Sequence, residues 1–131
     1  MYNANYVDVL TCLFCGFVIG IEREIKGKDS GLKTLILVCL GSFVYVQVGI
    51  SMGDPARVLA QIASGVGFIG SGVIILNKDK VSGLSSASII WISAAIGALC
   101  AIGHDARAIG LSLGVASIDY IIDKIKTKAK K

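Results

Sequence analysis

The sequence predicts an all-α, polytopic membrane bundle of five transmembrane helices, with its N-terminus outside and its C-terminus inside the cell. Three observations predict it: long uncharged runs, a one-sided distribution of Lys and Arg, and a composition with 54% hydrophobic residues and mean hydropathy +0.76. Of 131 residues, 88 fall in five runs free of Asp, Glu, Lys and Arg: 9–21, 34–53, 58–77, 81–104 and 108–118. An amphipathic helix in water would carry a charge every turn or two on its wet face. These runs have no wet face to offer.

A helix needs about 20 apolar residues to cross the hydrocarbon core. Spans are expected at Tyr2–Ile21, Thr34–Met52, Val58–Leu76, Leu84–Ile102 and Ala106–Ile122. No basic residue precedes the first, so it reads as an N-out helix rather than a cleaved signal peptide. Asp8 is expected near the outer headgroups, because burial toward the bilayer centre costs about 2.5–3.5 kcal/mol; a functional role is the lesser alternative. The middle three spans are uncharged. The fifth carries Asp119 and is decided by the positive-inside rule. With five spans, 11 basic residues lie inside (Arg23, Lys26, Lys28, Lys33, Lys78, Lys80 and the tail lysines 124, 126, 128, 130 and 131) and only Arg57 and Arg107 outside. Without the fifth span the split would be 6 against 7. Residues 1–123 therefore form the transmembrane domain and 124–131 a basic cytoplasmic tail, suited to anchoring on anionic lipid. Asp119 and Asp123 could pair with Lys124, Lys126 or Arg23, although solvated headgroup positions are the plainer expectation.

The net charge of +4 does not make a nucleic-acid protein, because five of the thirteen basic residues sit in the last eight positions. There is no G-X-Y period for a collagen, and too little polarity for a disordered chain. Neither a Walker A sequence nor a nucleophile elbow is present, so an enzyme is not expected. Cys12 and Cys15 have C-x-x-C spacing, but a structural zinc site needs four ligands. Cys39 and Cys100 form no second pair, and His104 is the single histidine. All four cysteines read as small apolar packing residues. No cofactor is expected, and no metal site is assigned.

A shift of 52 positions lays Lys26-Gly27-Lys28-Asp29-Ser30-Gly31-Leu32 on Lys78-Asp79-Lys80-Val81-Ser82-Gly83-Leu84, with five of seven positions identical. Gly20 then meets Gly72, and Thr34 meets Ser86. The expectation is a tandem repeat of two helical hairpins plus a fifth helix. Shared loop signals, namely Lys anchors, a Ser cap and a Gly turn, are the simpler account. Glu22 and Arg23 map onto Ile74 and Ile75, so only the first hairpin supplies charge.

Gly65-Val66-Gly67-Phe68-Ile69-Gly70 matches the dinucleotide fingerprint, but the required strand and the acidic residue about 20 positions on are missing. Close helix packing is the better reading. Ser64, Gly65, Gly67, Gly70, Ser71 and Gly72 make the third span the expected centre of the bundle. The pairs Gly16/Gly20, Gly49/Gly53 and Gly110/Gly114 fit internal packing or dimerisation equally. Ser82, Ser86, Ser93 and Gly97 are expected on one face of the fourth helix. With Gln61 and Ser64 they form either a helix-packing surface or the lining of an ion or water path.

Gly16-Phe17-Val18-Ile19-Gly20-Ile21-Glu22-Arg23-Glu24, Ser30-Gly31-Leu32-Lys33-Thr34, Ser64 through Gly72, Gly83-Leu84-Ser85-Ser86-Ala87, Trp91 and Ala94-Ala95-Ile96-Gly97 occur in an order that resembles the MgtC/SapB family of bacterial membrane proteins. The resemblance runs from about residue 10 to residue 103. It implies a multi-pass protein of the bacterial inner membrane, associated in some members with growth at low magnesium, intracellular survival and restraint of the membrane ATP synthase. It also implies that Glu22, Arg23, Lys33 (commonly Arg in the family), Thr34, Ser86 (commonly Thr) and the third-span glycines matter. Some members carry Asn and Cys where this chain has Ser85 and Ile92, so roles tied to those side chains do not transfer. Many members continue into a soluble domain, and sensing by that domain is not expected of these 131 residues.

Two functions compete. One is a non-enzymatic regulator or adaptor in magnesium or ion-stress adaptation, binding another membrane complex through helix contacts. The other is a small homo-oligomeric ion transporter or channel, with Mg²⁺ as the candidate ion and a dimer favoured. In both, Glu22 and Arg23 are expected to form a cytoplasmic-side pair closing onto Lys33 and Thr34, with Ser86 in the same cluster. The lipid bilayer is the common partner.

Overall fold

The computed structural model describes residues 2–77 and 79–130; Lys78 of the second loop motif and Lys131 of the tail lie outside the described residues. Five helices follow one another: α1 (Tyr6–Ile25), α2 (Leu32–Ser51), α3 (Pro55–Ser71), α4 (Leu84–Ala101) and α5 (Asp105–Ala129). A hairpin of two short strands, β1 (Ile75–Asn77) and β2 (Lys80–Ser82), separates α3 from α4. By length and composition α2 and α4 are each apolar enough to cross a membrane.

Local chemistry sets the helix starts. Asn5 opens α1 with a capping box: its side chain accepts from the Val7 and Asp8 amides while the Asp8 carboxylate accepts from the Asn5 amide. Asp54 caps α3 with Pro55 at the first helical position, where a missing N–H costs nothing. α2 and α4 both begin at the Leu that follows Ser-Gly, 52 residues apart. Their entries differ, however. Gly31 is extended, whereas Gly83 lies at φ 82°, and a Cβ there would collide with the Val73 carbonyl.

α3 departs from the expected span Val58–Leu76. It ends at Ser71, and the β-branched Val73-Ile74-Ile75 that follows leaves the helix for the hairpin, with Ile75 opposite Ser82. Ser82 is therefore an exposed strand residue, not part of the helical stripe with Ser86, Ser93 and Gly97. At the other end of the chain, α5 continues through Ala129, so Lys124, Lys126 and Lys128 of the basic tail are helical.

The centre of the bundle is α4, not α3. α4 packs against all four other helices, and Ile90, Ser93, Ala94, Ile96, Gly97, Cys100 and Ala101 are sealed inside. α2 crosses it closely. A Cβ on Gly97 would run into the Cys39 backbone, and the Ser42 hydroxyl donates to the Ala94 carbonyl at 2.6 Å. Gly16 and Gly20 of α1 likewise meet α2, where an added Cβ would sit 2.7 Å from the Cα atoms of Ile36 and Leu32. α3 instead packs mainly on α2 and α4, through Ile62, Val66 and Gly70 at intervals of four. Small residues permit close approach, but without apolar bulk around them they do not draw a helix into the core. All four cysteines are free and fully buried, and the Cys39 thiol donates to the Ser93 carbonyl.

Candidate functional site

The buried stripe of α1, Cys12, Cys15, Gly16 and Ile19, continues to Arg23. Helical spacing thus delivers a guanidinium to the interior of the bundle, where Arg23 is 1% exposed. Such a group is tolerated only if its N–H donors and its charge are answered. Here four of its five donors are used. Nε donates to the Ser30 carbonyl at 2.8 Å, one terminal nitrogen donates to the hydroxyls of Ser30 and Ser86 at 3.2 and 2.6 Å, and the other donates to Asp119 Oδ2 at 2.9 Å. One side chain therefore ties α1 to the α1–α2 loop, to the first turn of α4 and to α5.

A second layer lies over this core. Lys28 Nζ reaches both Asp119 oxygens at 3.2 Å and also Asp123, while Lys26 bridges Glu22 and Asp123. Three cations meet three carboxylates, so the cluster is balanced. Lys28, and after it Lys26, hold the Asp123 carboxyl below its usual range against the opposing effect of burial. Glu22 is the first cause that raises Lys26 above its ordinary value. Tyr120 presents its ring to Lys26 and Lys124 at 5.3 and 5.8 Å.

Arg23 and Ser86, expected in one cluster, do meet. Glu22 is on the same end but pairs with Lys26 at the rim rather than with Arg23. The expected closure onto Lys33 and Thr34 does not form. Lys33 is exposed and enters no ion pair or side-chain hydrogen bond among the described residues. Thr34 turns instead into a groove between α2 and α3 of about 960 Å³, lined also by Tyr45, Arg57, Gln61, Gly65 and Val66.

The remaining residues separate in the same way. Ser86, Ser93 and Gly97 are inside the bundle, with the Ser93 hydroxyl bonded to the Ile89 carbonyl. Gly70 is buried, and a Cβ there would lie 3.3 Å from the Ala87 carbonyl. Ser64, Gly65 and Gly67 face outward, and a Cβ on either glycine would meet nothing within 4 Å. Gly72 closes α3 as its C-cap. Ser93 and Gly97 therefore line no path with Gln61 and Ser64. Ser30 and Lys28 had been legible only as loop signals. Asp119, for which Arg23 was one of the partners open in the sequence beside the plainer solvated position, lies on the stripe Ala108, Ser112, Val115 that α5 turns inward. Among the described residues no group of three or more His, Cys, Asp or Glu is placed to hold a metal ion.

Residues 9–128 match the MgtC family. Over 118 residues the chain is 37% identical to "Protein MgtC" of Salmonella typhimurium, covering 88% of this chain and 51% of that protein. It is 39% identical over 100 residues to the Escherichia coli K12 protein named "Putative magnesium transporter YhiD", covering 68% and 46%. An uncharacterized Synechocystis protein is 35% identical over 129 residues, covering 96% and 55%. The chain thus spans about half the length of these relatives. No solved structure matches it.

Proposed function

The chain belongs to the MgtC family, and from that premise we propose that it is a non-enzymatic, multi-pass protein of the bacterial inner membrane that regulates magnesium or ion-stress adaptation by docking on another membrane complex. The observation that carries this reading is the outward face of α3. Ser64, Gly65 and Gly67 are small, unobstructed and set beside the α2–α3 groove. In lipid, such faces let a foreign helix approach until its backbone touches.

Two further features favour a regulator over a conduit. The Arg23 cluster is balanced within itself, and α2, α3 and α4 contain no Asp or Glu. A Mg²⁺ site expects one or two carboxylates with retained waters. Photo-crosslinkers at Ser64 or Gly67 in native membranes are expected to trap one specific membrane protein. Recovery of only the chain itself would point to self-association and overturn the adaptor role. Gly67→Ala should leave the fold intact or stabilise it by about 0.5–1 kcal/mol, the gain in helix propensity, while lowering the yield from a crosslinker at Ser64.

The relative named a magnesium transporter favours a second reading, a homo-oligomeric ion transporter, in which a dimer is the first state to test. Vesicles containing the purified chain decide between them. Mg²⁺ flux that is lost in Asp119→Asn would replace the regulator reading. Absence of flux in vesicles whose protein is folded and inserted would retire the transporter.

A further inference from the structure

At the end of the bundle opposite Arg23, α1 and α5 begin side by side, and each brings a carboxylate. Asp8 is 2% exposed; its Oδ2 accepts from the Tyr2 hydroxyl at 2.7 Å and from the Asn5 amide at 2.6 Å. Asp105, the first residue of α5, is half-buried two residues past Gly103, on which the ring of the same Tyr2 rests, and this sets its carboxyl beside that of Asp8, with Thr11 near. Its Oδ1 is sealed from solvent and has no hydrogen-bond partner. None of the ion pairs among the described residues includes either acid.

We propose that Asp8 and Asp105 form a proton-binding dyad, in which one proton shared between the two carboxyls joins the starts of α1 and α5. Two adjoining carboxylates, one buried and one half-buried, resist being charged together where no cation pairs with them, because each disfavours the ionised form of the other. Asp8 is the member held as an anion. Its Oδ2 is committed to two donors, and it sits in the first turn of α1, where the helix dipole favours negative charge. Asp105 is then the acid, and its proton turns an orphaned acceptor into a donor toward Asp8. Burial first, and the contact with Asp8 second, hold the Asp105 carboxyl above its usual range.

The surroundings leave a proton as the fitting ligand. Tyr2 of the N-terminal segment bonds Asp8 directly, the titratable groups in the vicinity are the buried thiols Cys15 of α1 and Cys100 of α4, and Gln47 of α2 is turned to the Ala4 amide and the Ala101 carbonyl. His104 and Arg107, the cations next to Asp105 in sequence, point to the outside. Two carboxylates without further oxygen ligands fall short of the six or more that Ca²⁺ takes, or of the octahedral shell of Mg²⁺. The ring of Tyr2 closes over Gly103, where an added Cβ would stand 2.5 Å from it, so the N-terminal segment lids the pair.

The dyad gives the α1–α5 seam a joint whose strength follows the pH of the compartment it faces. This holds whichever partner or ion the protein serves. Infrared difference spectroscopy on the lipid-embedded chain, with ¹³C-labelled aspartate, reads it directly. The wild type is expected to show a protonated-carboxyl C=O band that persists well above the ordinary carboxylate pKa, and to lose it in Asp105→Asn. Asp8→Asn should shift the band rather than leave it in place. No such band in the wild type, or one unaltered in both variants, overturns the proposal. A melting temperature that falls on addition of chelator, with no acid band, would assign the pair to a cation and overturn it equally. Should either variant fail to fold, the wild-type band and its alkaline loss remain decisive.

Discussion

The two ends of the α1–α5 seam solve the same problem in opposite ways. At one end Arg23, Lys26 and Lys28 meet Glu22, Asp119 and Asp123, and the charges cancel. At the other Asp8 and Asp105 meet with no cation beside them, and an oxygen of Asp105 is left without a donor. The difference teaches that a buried charge is stabilised either by an opposite charge on a neighbouring element or by a proton. The first kind of joint weakens in acid and the second in alkali.

The largest effect is expected from breaking the balanced end. Arg23→Met leaves Asp119 with Lys28 as its one remaining cation partner and takes the guanidinium donors away from Ser30 and Ser86; removing one partner of a buried pair costs up to about 3–5 kcal/mol. Thermal unfolding in lipid nanodiscs measures it. If Arg23→Met with Asp119→Leu restores most of the loss, the cost came from the stranded carboxylate rather than from lost packing. Charge reversal at Arg23 should also abolish function; a normal phenotype would separate the cluster from the activity.

Next in size is the pH dependence. For Asp105 the folded-state pKa is raised, so its stabilisation is complete below the ordinary carboxylate value and is lost as pH climbs through the raised one. Asp105→Asn should flatten the alkaline limb of the stability profile. Asp123 carries the opposite sign. Its folded value is depressed by Lys28, so its contribution is present above the ordinary value and is lost as pH falls through the depressed one. Asp123→Asn should reduce the acid limb alone. A single variant that altered both limbs would break the comparison by showing that the ends are coupled along α5. The smallest effect is expected for Glu22→Gln. The Glu22–Lys26 pair is partly solvated, and its loss should cost at most about 1 kcal/mol, falling further in high salt.

Five helices were legible in the sequence because runs without charge and the placement of lysines report directly on solvent. Element ends were legible where a local signal acts alone, as at Ser-Gly-Leu before α2 and α4. The end of α3 was not, because Val73-Ile74-Ile75 is apolar enough to extend a span and only its β-branching argues for the hairpin. Arg23 and Ser86 were singled out correctly as neighbours. Lys33 and Thr34 were assigned to Arg23 because they lie close in sequence, yet the start of α2 turns them toward solvent and α3. Asp8 was expected near the outer headgroups as the one charge of an N-out helix; what the sequence did not show is that Tyr2 and Asn5 bond it and that Asp105 lies beside it.

By itself the sequence determined the helical class, the order of the five helices and the singling out of Arg23 and Ser86 as members of one polar cluster. Periodicity and charge are properties of single segments, so they survive without knowledge of partners. Only the tertiary structure decided that α4 rather than glycine-rich α3 is the centre, that Asp119 answers Arg23 from 96 residues away, and that Asp8 meets Asp105. Those outcomes depend on which faces touch. Small residues, serines and carboxylates carry the same letters whether another helix, lipid or water lies against them.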